Sequence, residues 1–570
     1  MNTIKTFIHK NPLIIGCFLV FISCNDHFLD REPLDTLTNA NFWQSEDHLI
    51  SAANVLYEGM TGKDLLNYFE IMGESSTWAV PTAWRTIGGG NYATDISQLN
   101  SFWVSSFENI SRCNYFLENY NRATSVPKKT RERYAAEAYF FRAFTYWRLT
   151  SLFGDIPYIT KVLNVNDADV YRSRDKRAVV VDSITAALER SYVNLPAYIE
   201  PASKEFGRIS QAAALTLLSR IYLYNERWDD AVSASKRVMD MNYHKLYSTG
   251  KPTEDYCNLF KFAGRASRVS ANKETILAFV YNSDLGEDAR VWHNLSREVC
   301  EINDYARWMP TKSMIEAYLT ADGKIWDPKS INTYEEVFEN RDPRMRQSIL
   351  PPNTPWEGRK DGNPNNTDIT MFTYPKLSND KTGGMTYSGY YILKYEEPTK
   401  VNQLYQDDND IIMMRYAEVL LNYAEARYKQ GSLTQATLDS TVNLLRDRVG
   451  MVRLDLNNLP AGSDIFTEIK RERRVELFFE GHRYFDIIRW KEGWRLGEDL
   501  LGVNRNWLDP NKLEPAGILN ELSWKYVDGG YYLIIESGRT FDPAKNYLLS
   551  LPFKQMQRNP NLLPNNPGWN

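Results

Sequence analysis

The chain has 570 residues, of which 43% are hydrophobic and 13% aromatic, with 15 Trp, 35 Tyr and a formal charge of −5. That length suits three or four ordinary domains or one large solenoid. The negative sign, with no basic stripe interleaved with aromatics, excludes a nucleic-acid binder; the densest basic run, Lys470-Arg-Glu-Arg-Arg474, is diluted by Glu472 and Glu476 and reads as structural.

Residues 1–23 read as a secretory signal. Lys5 and Lys10 precede an apolar stretch, Leu13 to Ile22, too short to span a bilayer. Phe21-Ile-Ser-Cys24 has the form of a lipobox, so lipidation is expected at Cys24, which anchors a chain without a membrane span. Cys113, Cys257 and Cys300 are odd in number and far apart, which gives neither a disulfide framework nor a zinc pattern. Asn25 to Thr38 reads as a polar tether. Ser45 then caps a helix whose Leu49, Ala53, Leu56 and Met60 share one stripe.

The stretch from Glu74 to Tyr92 gathers Trp78, Trp84, Arg85, Asn91 and Tyr92 around Gly88-Gly-Gly90, with little helical pattern. Rings in such a segment cannot all be core. The mixture suits carbohydrate: sugar C–H groups lie against rings, each contact worth ~0.5–1 kcal/mol, and Asn and Arg satisfy hydroxyl pairs.

Helical pattern resumes from Leu99 to Tyr120 and again from Tyr134. There Phe140, Phe141, Phe144, Tyr146, Trp147 and Leu149 leave almost no polar face, so this helix must be covered on several sides before it stops at Gly154. Gln211 to Tyr243 reads as a tetratricopeptide-like pair, its second helix starting at Trp228 after the turn Asn225-Glu226-Arg227. A second pair runs from Met414 to about Arg446, and the Tyr134 helix with Ala178–Tyr192 makes a third. Together they predict a mainly α scaffold of stacked helical hairpins. Residues 245–410 break the pattern with Pro, Gly, Asn and Asp; only Thr275–Tyr281 and Tyr390–Leu393 look like small strands. A long irregular excursion from a rigid scaffold is usually functional. The expected division is thus a helical region, 24–244, and a region 245–570 holding the loop-rich part, the pair at 411–450, a helix at 467–490 and an irregular tail.

Familiar catalytic patterns are missing: no phosphate loop, no nucleophile elbow, no HExxH. Asp407-Asp-Asn-Asp410 lacks the Gly and distal Glu of a calcium loop. On a continuous 467–490 helix, Glu476, Glu480 and Arg483 form one stripe and His482, Asp486 and Arg489 another. Glu480 and His482 then point about 200° apart, which defeats a shared metal or acid–base role and leaves ion pairing. No catalytic residue, metal or cofactor is expected.

Several segments resemble the SusD/RagB family. They are the run from Tyr134 to Thr160, Phe28-Leu-Asp-Arg-Glu-Pro33, Met414 to Glu425, Arg471 to Trp490, and Tyr547-Leu-Leu-Ser-Leu-Pro552 with Asn559-Pro-Asn561. Their order covers almost the whole mature chain. The resemblance implies a tetratricopeptide-like scaffold carrying a loop-rich ligand-binding part. It implies a lipid-anchored outer-membrane protein that captures oligosaccharide and works with a SusC-like, TonB-dependent transporter; RagB-like peptide binding is the alternative, a surface glycoside hydrolase the remote one. It also implies ligand contacts from Trp84, Arg85, Asn91 and Tyr92 in the early loop, beside Trp78, completed by Trp292, Tyr305 and Trp308.

Overall fold

A computed structural model describes residues 42–59, 65–78, 81–282, 308–359, 369–378, 386–396, 408–513 and 515–569. The signal segment, Cys24, Cys300, Trp292 and Tyr305 lie outside them. The first helix, α1 (Glu46–Tyr57), begins where Ser45 accepts a hydrogen bond from the His48 N–H at 3.3 Å. It lies on α4 (Lys128–Phe153), which also packs between α3 (Ser97–Asn119) and α5 (Arg177–Ser191). Covered on these sides, α4 buries Phe140, Phe144, Tyr146 and Leu149 completely, together with Glu137. It ends at Gly154, whose φ of 72° suits glycine alone.

The next pair, α6 (Gln211–Tyr224) and α7 (Trp228–Asp240), turns at Asn225-Glu226-Arg227 as the pattern requires. Ala231, Ala234 and Ser235 face α6 with no exposed surface, because small side chains let antiparallel helices approach. The stack continues through α8 (Tyr416–Lys429) to α10 (Ile465–Glu476). The second half of the late pair differs from expectation: it splits into Gln435–Asp439 and α9 (Val442–Val449). The fold is thus mainly α, as the periodicity requires, and no described helix is long and apolar enough to cross a membrane.

The strands are short. β1 (Ser76–Trp78) pairs with β3 (Trp308–Pro310), β2 (Thr275–Phe279) with β6 (Ile411–Arg415), and β4 (Thr354–Arg359) with β5 (Ile369–Phe372). β7 (Leu500–Asn504), β9 (Gly530–Glu536) and β8 (Trp524–Val527) form a sheet in that order, all antiparallel. Tyr390–Leu393, expected as a strand, makes one isolated bridge, Ile349 to Ile392.

The segment expected as a continuous helix over 467–490 is two helices. α10 stops at Glu476 and α11 (Arg483–Arg489) restarts after a break in which Phe479 takes φ 60° and Gly481 φ 76°. The break frees Glu480 from the helix and turns it toward Arg415 and Lys394, so the continuous-stripe reading of Glu476, Glu480 and Arg483 is wrong. The ion-pairing role holds. Arg415 donates to Glu480 at 2.8 Å, Glu476 at 2.6 Å and Glu274 at 2.8 Å. Arg448 and Arg344 add to Glu476 at 2.6 and 3.0 Å, and Lys394 to Glu480 at 2.7 Å. All these side chains are essentially buried. Burial alone would raise the Glu476 carboxyl; Arg448, Arg415 and Arg344 outweigh it and hold it well below the usual carboxylate range. This hub fastens β2, β6, α9, the short helix Pro343–Ser348 and the segment around Lys394 onto α10.

Candidate functional site

The early loop and the irregular region meet in β1 and β3. Trp78 stands opposite Trp308, Thr77 opposite Met309 and Ser76 opposite Pro310. The Trp78 ring is half-buried and meets Trp308 edge to face, centroids 4.7 Å apart at 83°. Trp308 is only 1% exposed and is wedged against Phe479 in the helix break, 5.4 Å away. It therefore backs the Trp78 ring and offers no face of its own, which corrects its expected role as a ligand contact.

The strand pair is held from below. Thr311 N donates to Ser75 O at 3.0 Å, and Arg474 reaches Ser75 Oγ at 3.0 Å and Ser313 Oγ at 2.9 Å. Arg483 Nε bonds Glu74 at 3.0 Å. Burial would raise the Glu74 carboxyl, but Arg474 and Arg483 hold it well below its ordinary range. Glu70 accepts from Gly481 N at 3.0 Å and Ser76 Oγ at 3.3 Å, and burial pushes its carboxyl up to about 7.

Arg85 and Trp84 are not where the loop reading puts them. Thr82 accepts from Arg85 N and starts a short helix, α2 (Ala83–Gly88). This turns the Trp84 ring inward, where it stacks on Tyr68 at 4.8 Å, meets Phe102 edge-on and is 6% exposed. A ring so enclosed cannot receive a sugar. Arg85 is buried too: it donates to Trp78 O at 2.8 Å and to Glu536 Oε2 at 2.5 Å. It is a strut that fixes Trp78 against β9, not a hydroxyl donor.

Asn91 is exposed. Tyr92 is half-buried; its hydroxyl accepts from Ser550 N at 3.0 Å, its ring lies 4.5 Å from Trp569, and burial drives its phenol well above the ordinary value. It anchors the C-terminal segment. The glycine triplet serves the same contact: Gly89 O accepts from Thr540 N at 3.0 Å, and a Cβ on Gly90 would lie 1.9 Å from Thr540 O. The structure therefore joins Trp78, Arg85 and Trp308 in one assembly and leaves Trp84, Asn91 and Tyr92 apart from it.

Exposed rings that the sequence reading passed over lie elsewhere. Tyr526 and Tyr531 face each other across β8 and β9, 5.1 Å apart, 64% and 47% exposed. Their hairpin turns at Asp528-Gly529, both with positive φ. That Asp-Gly between β-rich residues is a strong hairpin signal, and strand alternation would have put both tyrosines outward while Tyr532 goes in. This hairpin runs beside the Trp78 strand pair: Glu536 at its base shares Arg85 with Trp78, and Asp528 at its tip lies 3.1 Å from Lys312 Nζ. Trp494, 54% exposed, is a further surface ring. The Asp407–Asp410 run is an anchor over its described part: Asp410 bonds Ser267 N and Oγ at 2.8 and 2.7 Å, and Asn409 bonds Phe260 O. Among the described residues no group of three or more His, Cys, Asp or Glu is placed to hold a metal ion, and Cys113 and Cys257 are buried and free.

A helical-hairpin scaffold bearing an irregular, ring-carrying flank defines the class. The model of the SusD family matches residues 273–569, and one described as "Starch-binding associating with outer membrane" matches 26–223. This chain belongs to the SusD family. It is 26% identical to SusD-like protein P2 of Formosa agariphila over 97% of this chain and 98% of that one, and 23% identical to a SusD-like protein of Bacteroides ovatus over 85% and 83%. Its fold matches a SusD-like carbohydrate-binding protein of Bacteroides fragilis with a TM-score of 0.76 at 23% identity, over 92% of this chain and all of that one. It also matches a laminarin-binding SusD-like protein with a TM-score of 0.63 at 17% identity, over 92% and 100%.

Proposed function

We propose that this protein is a glycan receptor of the outer membrane. It captures oligosaccharides, does no chemistry on them, and passes them to a SusC-like TonB-dependent transporter, held at the membrane by lipid on Cys24. The observation that carries this reading is the pairing of Trp78 with Trp308. Two segments more than two hundred residues apart converge to present one partly open indole, backed by a buried one and clamped by Arg85. A rigid, flat, half-exposed ring costs little entropy to use as a binding face. The neighbouring Tyr526–Tyr531 hairpin widens the aromatic flank. Relatives named for carbohydrate and laminarin binding fit the same role.

Affinity electrophoresis of the mature chain against a panel of soluble polysaccharides tests it. For the polysaccharide that retards the protein, Trp78→Ala is expected to weaken binding about tenfold, equivalent to ~1.4 kcal/mol. Trp84→Ala should instead cost stability, ~3–5 kcal/mol by cavity formation, and leave the affinity of the folded fraction unchanged. Retention of no polysaccharide, with binding of peptides from a digest, would replace the glycan by a peptide ligand.

A further inference from the structure

A polar cleft of about 260 Å³ opens beside α10, against the turn Gly493–Gly497. Lys470, Arg471, Arg474, Arg483 and Arg495 line it, with Glu316 and Glu492. Two carboxylates serve four of these cations: Glu74 receives both Arg474 and Arg483, and Glu492 both Lys470 and Arg495. Arg471 pairs at 3.3 Å with the buried Glu468, and Glu316 is engaged by Lys312 at 2.9 Å. The lining itself thus carries five cations to two carboxylates, with Glu74, Glu468 and Glu498 close by. Arg474, buried in its wall, is pushed down to about 9 by burial and, against the pull of Glu74, by Arg483, Arg495 and Arg471. Arg495 spends only its Nε on Glu492, at 2.7 Å; its two Nη groups meet no partner among the described residues. Its guanidinium lies 4.4 Å from the ring of Trp494, the most exposed tryptophan described. The cleft is coupled to the Trp78 strand pair through Arg474, which bonds Ser75 and Ser313.

A planar guanidinium with spare N–H groups matches the two oxygens of a carboxylate or sulfate ester, and an adjoining indole matches the C–H face of the ring that bears it. We propose that this cleft is an oxyanion subsite that takes the carboxylate or sulfate ester of an acidic sugar, with Trp494 at its rim offering the sugar the ring face that Arg495 leaves open. The inference rests on the receptor reading and adds the class of ligand, an anionic glycan.

Two measurements test it with the mature chain and the double variant Arg471→Gln/Arg495→Gln, whose altered side chains are both partly exposed. Inorganic sulfate, titrated by tryptophan fluorescence, should perturb the native chain and bind ~10-fold more weakly to the variant, as loss of two charge-assisted contacts requires. Calorimetry then compares oligogalacturonate, chondroitin sulfate oligomers and neutral laminari-oligosaccharide. An acidic series should bind ~10-fold tighter than the neutral one, and lose most of that margin between about 20 and about 200 mM NaCl as screening sets in. The double variant should lose the margin while keeping neutral binding. Preference between the two acidic series separates carboxylate from sulfate ester. Equal sulfate responses in native and variant chains, or acidic sugars no tighter than neutral ones, would overturn the cleft while Trp78-dependent binding of neutral sugar kept the receptor reading intact. A cleft-dependent sulfate response with no sugar retained would overturn both the receptor reading and the sugar as ligand.

Discussion

The helical stack and the irregular region differ in what holds them. Between α4 and its neighbours the contacts are apolar and many: Phe140, Phe144, Leu149, Val180 and Ile184 are each almost wholly buried against several others. The segments between 245 and 410 also bury rings and aliphatic groups, among them Tyr256, Phe260, Trp326, Tyr334 and Phe338, but they add buried charges: Glu274, Arg344 and Lys394 pair with Arg415, Glu476 and Glu480 respectively. A packed face tolerates the loss of a single methyl group at modest cost. A shared ion is less forgiving, because removing one partner strands the others in a low-dielectric interior. The irregular region of this protein is therefore held by a polar hub in addition to its apolar packing.

The sharpest way to break that contrast is Arg415→Met. Three carboxylates would lose their common partner, and the expected cost is ~3–5 kcal/mol, read as a shift in the denaturant midpoint and as early proteolytic cleavage within 245–410. Ile221→Val in the stack should cost only ~0.5–1.5 kcal/mol. If the two were equal, the hub would be no more critical than ordinary packing.

The next effect depends on pH. Glu70 lies where β1 meets the helix break, hydrogen-bonded to Ser76 and to the backbone of Gly481 and Phe479, with no ion-pair partner among the described residues. Burial raises it from 4.5 to about 7, opposed by the Gly481 N–H and Lys394. A carboxyl raised by folding binds its proton more tightly in the native state. Its penalty is therefore absent below about pH 4.5, grows as pH rises, and is complete above about 7, where it reaches ~3 kcal/mol. Glu70→Gln removes that penalty, so the variant should match the native chain near pH 4.5 and exceed it in thermal stability at pH 8. A gain that is the same at both pH values would place its origin in packing.

What could be read from the sequence follows the same division. The α6–α7 turn, the all-round apolar α4 and the Ser45 cap are local, and the spacing of residues a few positions apart defines them. The break after Glu476 is not local. Leu477 to His482 contains nothing that forbids a helix except Gly481; the conformation is fixed by Arg415 and Lys394, more than sixty residues away. The candidate site was legible as two segments, Trp78 and Trp308, but not as their pairing. Trp84 was misplaced because a glycine-rich composition marks where a chain turns, and here the turn brings it against Met72 and Thr540 rather than out to solvent. The exposed Tyr526 and Tyr531 were available from the Asp528-Gly529 turn and strand alternation, a signal that needs no distant partner.

The smallest expected effect joins the two regions. α10 carries Glu472 and Glu476 into the hub, yet it begins at a surface residue: Asp464 accepts from Phe466 N at 2.9 Å and Thr467 N at 3.0 Å. These bonds satisfy otherwise orphaned N–H groups, and an aspartate there also opposes the helix dipole. Asp464→Ala should cost about 1 kcal/mol. Because the far end of α10 is clamped by Arg344, Arg415 and Arg448, fraying of its first turn should stop before Glu472. Hydrogen exchange is then expected to quicken at residues 465–468 and remain slow at 472–476, with glycan affinity unchanged. If exchange quickened along the whole helix, the hub would depend on the Asp464 cap and would not hold the far end of α10 by itself.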